Sequence, residues 1–585
     1  MDTRESKCLL CSLGCDIAFR VKGEAVVGPE FLSTDGPSGT RVCARGLYGS
    51  ELLSHPQRVA TPLIRRDGVL RESSWDAAID TVGAAIRNVV EAYGPGAVAI
   101  VTEATRSSEE LEAVALLARS IGTGAVSCVF EPQDWPLVAR ESSAGVASIQ
   151  EANCVIVLGD VFFTHPVIAK EIIDAKYTAR GNSLFVVDPR KSNTAWYASE
   201  HVRNRPGTEA LVLACILKAL KTVGRMSSDS HSWLDSVDEK ALLETAGVAR
   251  DTVARIARAF SDAGKAAVVV APPVRGMNDV ALVARLATLI AEVLGEQKAC
   301  VLLPSGGNVR GARAVAAKYN WRPVSTLSVD LEAGRCRALV SFGADLLASF
   351  PSAALTHAVS GLDCVVSFSL FTGDIENASS VVLAGASWLE ADGTGMLFDD
   401  ALIQWKGVGS TSWGTRALPE VAALIGAAVG QPGQQPGRAH GGDARADMFD
   451  TSESGLAARV EAVRAMCAAP VGGDLALVTL PASGHAGAGV VTGWMQWARE
   501  VFPAGFCEIS TQDAAALDIV EGEAVVVDSP SGQLELRARL TDRLQKGVIA
   551  VPGYDAAVRT LFSWQVGADG WFSTGPGTAR VRRER

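Results

Sequence analysis

The chain has 585 residues, 48% of them apolar and 20% charged, and 54 Lys and Arg against 65 Asp and Glu leave a net charge of −11. That composition is globular, long enough for about four domains of roughly 150 residues, and too acidic to favour a nucleic-acid polyanion as its main partner. The opening MDTRESKCLL lacks the basic-then-apolar pattern of a secretory signal and no apolar run reaches the ~18 residues that span a bilayer, so the chain reads as soluble and cytoplasmic, without membrane insertion.

The first element is a cysteine cluster. Of 12 cysteines, Cys8, Cys11, Cys15 and Cys43 form the pattern C-x2-C-x3-C-x27-C. Clustered thiols in a reducing compartment point to metal or redox chemistry before disulfides. Two intervening residues let one tight loop present both sulfurs to a single centre, a third thiolate completes one side, and a remote fourth closes the cage. Four thiolates hold either zinc or a 4Fe-4S cluster. A zinc ribbon uses two C-x2-C knuckles and the second is absent here, so the spacing fits a cubane better. The other eight cysteines are single and mostly in apolar surroundings, where packing is the ordinary role; Cys128 alone is considered further.

Strands and helices then alternate. VAIVTEA (98–104) predicts a strand and SSEELEAVALLARSIG (107–122) a helix with a Ser-Ser-Glu-Glu cap. CVIVLGD (154–160), a helix through 169–179 and SLFVVDPR (183–190) make a βαβ crossover with parallel strands. The alternation resumes with AAVVVAPP (266–273), NDVALVARLATLIAEVLG (278–295), ALVSFGAD (338–345), SAALTHAVSG (352–361), CVVSFSLF (364–371) and SSVVLAG (379–385). This predicts doubly wound α/β domains, whose ligands lie beyond the carboxyl ends of the strands. Gly159-Asp160, Asp188-Pro189-Arg190 and Gly343-Ala344-Asp345 fall at such ends. Their recurrence suggests a bulky dinucleotide-like ligand, carboxylates accepting from ribose hydroxyls or a guanine edge.

Residues 431–446 are rich in Gly, Pro and Gln without periodicity and read as a linker before a helix over 455–469. EAVVVDSPSGQLELRARL (523–540) predicts a hairpin and GVIAVPG (547–553) another strand, together a small β-barrel domain. The expected organisation is a 4Fe-4S domain over 1–60, α/β domains over 61–430, linker and helix over 431–470, and a C-terminal barrel over 471–585.

The cysteine series, CARG (43–46), HPQRVATPLIRRDG, SWDAAID, VIVLGD, VVDPR, NRPGTE and ISTQDAAALDIVEGEAVVVDSPSGQLELRARL follow one another as in the molybdopterin oxidoreductases that carry bis-molybdopterin guanine dinucleotide, a family this chain resembles along nearly its whole length. SGGNVRGA (305–312), FGADLLASFP (342–351) and EADGTGMLFDDALIQW (390–405) look more like the B subunit of formylmethanofuran dehydrogenase than like formate dehydrogenases, although here the dinucleotide-binding barrel is fused. RGLYG is also similar to the large iron–sulfur subunit of NADH–quinone oxidoreductase, which shares the fold without molybdenum chemistry.

The resemblance implies a 4Fe-4S cluster on Cys8, Cys11, Cys15 and Cys43, with Arg45 between cluster and pterin. It implies molybdopterin guanine dinucleotide with Mo or W, one arm against Gly159, Asp160, Asp188, Arg190, Pro206, Gly207 and Glu209. The other arm or its support would meet Gly306, Gly307, Asn308, Gly343 and Asp345. Catalytic side chains are not identified, because the ligand segment departs from the family. Where relatives carry a Cys or selenocysteine ligand the position falls near Gln133; Cys128 lies about five residues early and Asp134 one late. His165 resembles a family His-Pro, although packing is the commoner role for such a residue; Val161 and Leu397 stand where relatives have Asn and Arg. Two readings follow, a Mo- or W-pterin oxidoreductase of a small one-carbon substrate and a non-catalytic electron relay. Either needs a redox partner in a multisubunit complex, ferredoxin-like or a flavoprotein, docking near Cys8–Cys15. No G-x-G-x-x-G stands at a strand–helix junction, which disfavours NAD binding.

Overall fold

A computed structural model describes residues 2–31, 41–132, 134–138, 144–224, 231–271, 279–293, 295, 298–409, 414–430, 452–467, 474–487, 489–566, 572–573 and 577–584. The 431–446 linker and Gln133 lie outside them. The fold is α/β, closed at its C-terminal end by a six-stranded barrel.

Three antiparallel strands open the chain: β1 (Asp2–Lys7), β2 (Asp16–Lys22) and β3 (Ala25–Glu30). The cysteine loop is the β1–β2 connection, and Cys43 caps the short helix α1 (Ala44–Tyr48). Leu13, Ile17 and Phe19 bury this unit against the rest of the molecule.

The βαβ prediction resolves into a five-stranded parallel sheet in the order Glu200–Val202, Ser183–Val187, Cys154–Leu158, Ala266–Val270, Lys298–Leu302. Strands over 154–202 run outward in one direction and those over 266–302 in the other, so the topology switches beside Cys154–Leu158. Alternation along that strand feeds two cores, because successive strand side chains point to opposite faces. Cys154, Ile156 and Leu158 face the helices over 209–222 and 280–293, while Val155 and Val157 share an apolar layer with Cys8, Cys11 and Cys15. The cysteine loop is thus held by the same sheet whose carboxyl ends face the candidate dinucleotide site.

The seven-stranded sheet runs Val69–Glu72, Leu63–Arg66, Val381–Ala384, Cys364–Ser369, Ala338–Phe342, Val98–Glu103, Val126–Val129. Its last five strands are parallel and its switch point lies between Val98–Glu103 and Ala338–Phe342. The capped helix read at 107–122 spans Ser108–Ile121, and Ser107 and Glu110 form a reciprocal capping box. The predicted C-terminal hairpin pairs Ala524–Ser529 with Gly532–Thr541, the Ser529 hydroxyl accepting from the Ser531 and Gly532 amides in the turn. No helix among the described residues is long and apolar enough to cross a membrane.

Candidate cluster and dinucleotide site

The cysteine loop is closed at its base, where the Cys8 amide donates to the Cys15 carbonyl at 2.8 Å. Cys8, Cys11 and Cys15 are buried and Cys43 is half-buried. Burial and the neighbouring Cys43 and Cys11 thiols push the Cys8 thiol well above its ordinary range, and burial raises Cys11 as well. Among the described residues no three His, Cys, Asp or Glu side chains are drawn to the spacing of a bound metal ion, so the thiols are grouped without being closed on one centre. A soft all-sulfur donor set in a buried cup fits an iron–sulfur cluster.

Arg45 joins this cup to the interior. Its guanidinium donates to the Leu10 carbonyl of the cysteine loop at 3.4 Å, to His485 at 3.2 Å, and to Thr164 at 2.6 Å. One buried cation therefore ties together the cysteine loop, the short helix Val161–Thr164 after Gly159-Asp160, and the connection that follows the first barrel strand, Leu475–Leu480. Its Nε, fully enclosed, has no hydrogen-bond partner among the described residues.

The first dinucleotide set converges beyond the five-stranded sheet. Gly159 leaves the Cys154–Leu158 strand at φ +86°, a left-handed conformation that glycine adopts without steric cost. The next residue, Asp160, is buried and accepts from the Thr194 hydroxyl at 2.7 Å. Asp188 accepts from the Arg190 amide at 2.8 Å, and Glu209 accepts from the Asn204 side-chain amide at 2.9 Å. Pro206 and Gly207 form the turn leading into the helix Glu209–Thr222, which Glu209 opens. Burial lifts the Asp188 carboxyl to about 7, helped by repulsion from Asp160; it lifts Glu209 to about 7 and raises Asp160. Asp188 Oδ2, Glu209 Oε2 and Asn204 Oδ1 are enclosed and have no donor among the described residues. Enclosed acceptors of this kind call for a donor-rich ligand, and a guanine edge with ribose hydroxyls supplies one. The Arg190 guanidinium makes two 3.0 Å bonds to Glu508 of the barrel. It fastens the barrel over the site.

The second set is divided. Gly343 stands at the other switch point, where the buried Arg106 guanidinium, ion-paired with Glu103 at 2.9 Å, occupies the space a side chain would need. Asp345 is committed to backbone, accepting from Ala348 at 3.0 Å and from Asp374 at 2.9 Å. Asp345 also lines a cavity of about 450 Å³ with Asp374, Trp494, Arg499, Phe502 and Tyr554, between the seven-stranded sheet and the C-terminal segment. Gly306, Gly307 and Asn308 stand apart as a brace. Asn308 accepts from the Met396 amide and donates to the Arg106 carbonyl, both at 2.7 Å. Gly307 presses on the cysteine loop so closely that a Cβ would lie 2.7 Å from Leu9 Cα. These three residues register the cysteine loop against the second switch point.

The anomalous ligand segment is fastened at both described ends. Cys128 is buried within the strand Val126–Val129, so its thiol packs in the core. The Asp134 carboxylate accepts from the Ser305 amide at 2.7 Å and from the Ser305 hydroxyl, and burial raises it to about 7. Glu131 accepts from Arg559 of the barrel at 2.9 and 3.2 Å. Removing one partner of an enclosed ion pair strands the other charge, so Arg559→Ala should cost about 3–5 kcal/mol of stability. Chemical denaturation of Arg559→Ala and Arg559→Met should show both weaker than wild type; stability within error of wild type contradicts the clamp.

His165 is enclosed, with Nε2 3.0 Å from the Ser12 hydroxyl and 3.1 Å from the Pro304 carbonyl. Because a carbonyl only accepts, Nε2 carries the hydrogen. Burial and the nearby Arg45 cation hold the ring down at about 3, so it is neutral and braces the cysteine loop. Val161 fills the core behind Asp160, and Leu397 packs on Gly14 of the cysteine loop. Single-sequence reading missed Arg106, Glu131, Glu508 and Arg559 and gave Ser305 no role of its own, although Arg106, two residues past a predicted strand end, and Ser305, at the head of the SGGNVRGA motif, carried a local signal.

Residues 58–423 match the family described as molybdopterin oxidoreductase. The chain belongs to the molybdopterin oxidoreductase family. Residues 475–566, which hold five of the six barrel strands, match the molydopterin dinucleotide binding domain. Among curated relatives, the F420-dependent formate dehydrogenase 1 subunit alpha of Methanococcus maripaludis is 25% identical over 67% of this chain, and the match spans 65% of that protein, just under two thirds. The NADPH-Fe(3+) oxidoreductase subunit alpha of Geobacter sulfurreducens is 24% identical over 94% of this chain and 72% of its own length. Formate dehydrogenase H of Escherichia coli is 25% identical over 73% and 68%. Acetylene hydratase from Pelobacter acetylenicus superposes with a TM-score of 0.75 at 13% identity, covering 99% of this chain and 100% of that one, a likeness of fold.

Proposed function

We propose that this chain is a cytoplasmic Mo- or W-pterin oxidoreductase subunit for formate or a similarly small one-carbon substrate, carrying bis-molybdopterin guanine dinucleotide and passing electrons through a 4Fe-4S cluster to a partner subunit. The observation that carries it is Arg45, a buried cation bonded at once to the cysteine loop, the short helix after Gly159-Asp160 and the connection after the first barrel strand. When bound, the metal–pterin group would exchange two electrons with substrate and the cluster would carry them singly.

The chain's own residues then have separable roles. Cys8, Cys11, Cys15 and Cys43 would ligate iron. Arg45 would offset added negative charge near the cluster and present its free N–H to the pterin. Asp160, Asp188 and Glu209, with Gly159, Pro206 and Gly207, would hold one guanine arm beneath the Arg190–Glu508 pair. The cavity between Asp345 and Tyr554 would receive the other arm, with Gly343 and the Gly306–Asn308 brace behind it.

One observation favours the alternative of a non-catalytic relay subunit. Cys128 and Asp134 are both committed elsewhere, to the strand core and to Ser305. The test is formate-dependent reduction of benzyl viologen by the full chain, produced with molybdate or tungstate. Turnover supports the enzyme reading. Metal-bound pterin without turnover on formate or other one-carbon acids supports the relay.

A further inference from the structure

One stretch of the surface carries an excess of cations. Lys176, at the end of the helix Pro166–Thr178, donates to the Tyr197 carbonyl, and Lys191 lies over the Trp196 ring with Nζ 5.1 Å from its centroid. The Lys191 amide and the Arg203 guanidinium both donate to the Arg543 carbonyl, at 2.9 and 3.0 Å. The Arg543 guanidinium in turn donates to the Asn193 side chain at 3.3 Å. These contacts run from the helix end, past the outer strand Glu200–Val202 of the five-stranded sheet, to the loop after the barrel strand Gly532–Thr541.

None of these four cations meets a carboxylate among the described residues. The acids around them are engaged: Asp174 with Lys170 and Arg41, Glu200 with Arg255, and Glu508 with Arg190, while Asp542 accepts from the Thr511 hydroxyl. The excess is felt inside, where burial first, and then the Arg203 and Lys191 charges, hold the His201 imidazole below its ordinary value. In the same patch Trp196 and Tyr177 stand 69% and 64% exposed, with Lys176 over the Tyr177 ring.

We propose that this patch, with Lys176, Lys191, Arg203 and Arg543 around the Trp196 and Tyr177 rings, is a docking face for an acidic protein. A chain of net charge −11 repels a long polyanion as a whole, but a compact acidic surface engages a local excess of cations without meeting the rest. That distinction favours a protein over a nucleic acid. The rings point the same way, because aromatic side chains and Arg are enriched where proteins meet and tryptophan is a frequent anchor. Arg543 comes from the barrel and the other three cations from the α/β part, so the face is complete only while the Arg190–Glu508 pair holds the barrel in place. The inference is independent of which cofactor the chain carries.

The probe is a fluorescein-labelled random copolymer of glutamate and tyrosine, added to the full chain and followed by fluorescence anisotropy. Plain polyglutamate, oligothymidylate of matched charge and phosphatidylserine vesicles are measured in parallel. The copolymer should bind most tightly of the four, and more weakly as salt is raised. Lys191→Glu with Arg543→Glu should weaken it about tenfold, and Trp196→Ala should do the same while leaving polyglutamate unchanged. Lys318→Glu, on the helix Val309–Lys318 beside the seven-stranded sheet, changes charge elsewhere and should bind as wild type. All four substituted side chains are exposed, so each variant should keep the wild-type thermal midpoint. Wild-type copolymer affinity in the charge-reversed variant or in Trp196→Ala, or an equal loss in Lys318→Glu, overturns the face. Tighter binding of oligothymidylate or of the vesicles than of the copolymer overturns the acidic-protein occupant.

Discussion

Replacing Cys8 or Cys43 by serine should strip the chain of most of its iron and abolish the electron paramagnetic resonance signal of the reduced protein. Cys8 lies on the β1–β2 loop and Cys43 at the head of α1, so the two variants test thiols contributed by different elements. Serine offers oxygen where iron in a cubane takes thiolate, and the loss of one ligand of four leaves an open iron site. Cys128→Ser is the matched control: its thiol sits in the core and should leave iron unchanged. Iron retained in Cys8→Ser and Cys43→Ser, or lost in Cys128→Ser, contradicts the assignment.

A large pH effect should come from Asp188 and Glu209. Both carboxyls titrate near 7 in the folded chain, raised first by burial, against roughly 4 in an unfolded chain. Between those values the folded chain binds more protons than the unfolded one, so its stability falls as pH rises through 7. The nucleotide-free chain should therefore lose about 1 kcal/mol per carboxyl between pH 6 and 8. Asp188→Asn with Glu209→Gln should reduce that slope by about half, because burial also holds Asp134 and Glu376 at about 7. The same double variant should release guanine nucleotide far more readily than wild type, because in each side chain a donating NH2 replaces one accepting carboxylate oxygen in an enclosed site. Denaturation midpoints across this range provide the check; a flat wild-type profile, or an unchanged slope in the double variant, counts against these carboxyls as buried acceptors.

What could be read from sequence followed the range of the interaction. The Cys154–Leu158 strand, the Ser107 cap and the Ser529–Gly532 turn depend on neighbours within a few residues, and each lay where its pattern predicts. The family was legible because its motifs keep their order along the chain. The pairs that close the site were not. Arg190 meets Glu508, and Glu131 meets Arg559, across more than three hundred residues, and no local pattern announces which of many charges will meet. Spacing groups the four cysteines along the chain but does not reveal that Cys8, Cys11 and Cys15 are buried while Cys43 is half-buried. Asp345 looked like a ligand-binding strand end, and its carboxylate is in large part spent on backbone amides.

The residues on either side of Gln133 are held by distant partners, Glu131 by Arg559 of the C-terminal domain and Asp134 by Ser305, next to the Gly306–Asn308 brace.

The account as a whole is tested most directly by quantifying iron, molybdenum, tungsten and acid-released GMP in the anaerobically purified full chain. It predicts about four irons, one Mo or W and two GMP per polypeptide. A chain carrying zinc in place of iron, or none of these metals and no guanine nucleotide, would contradict it.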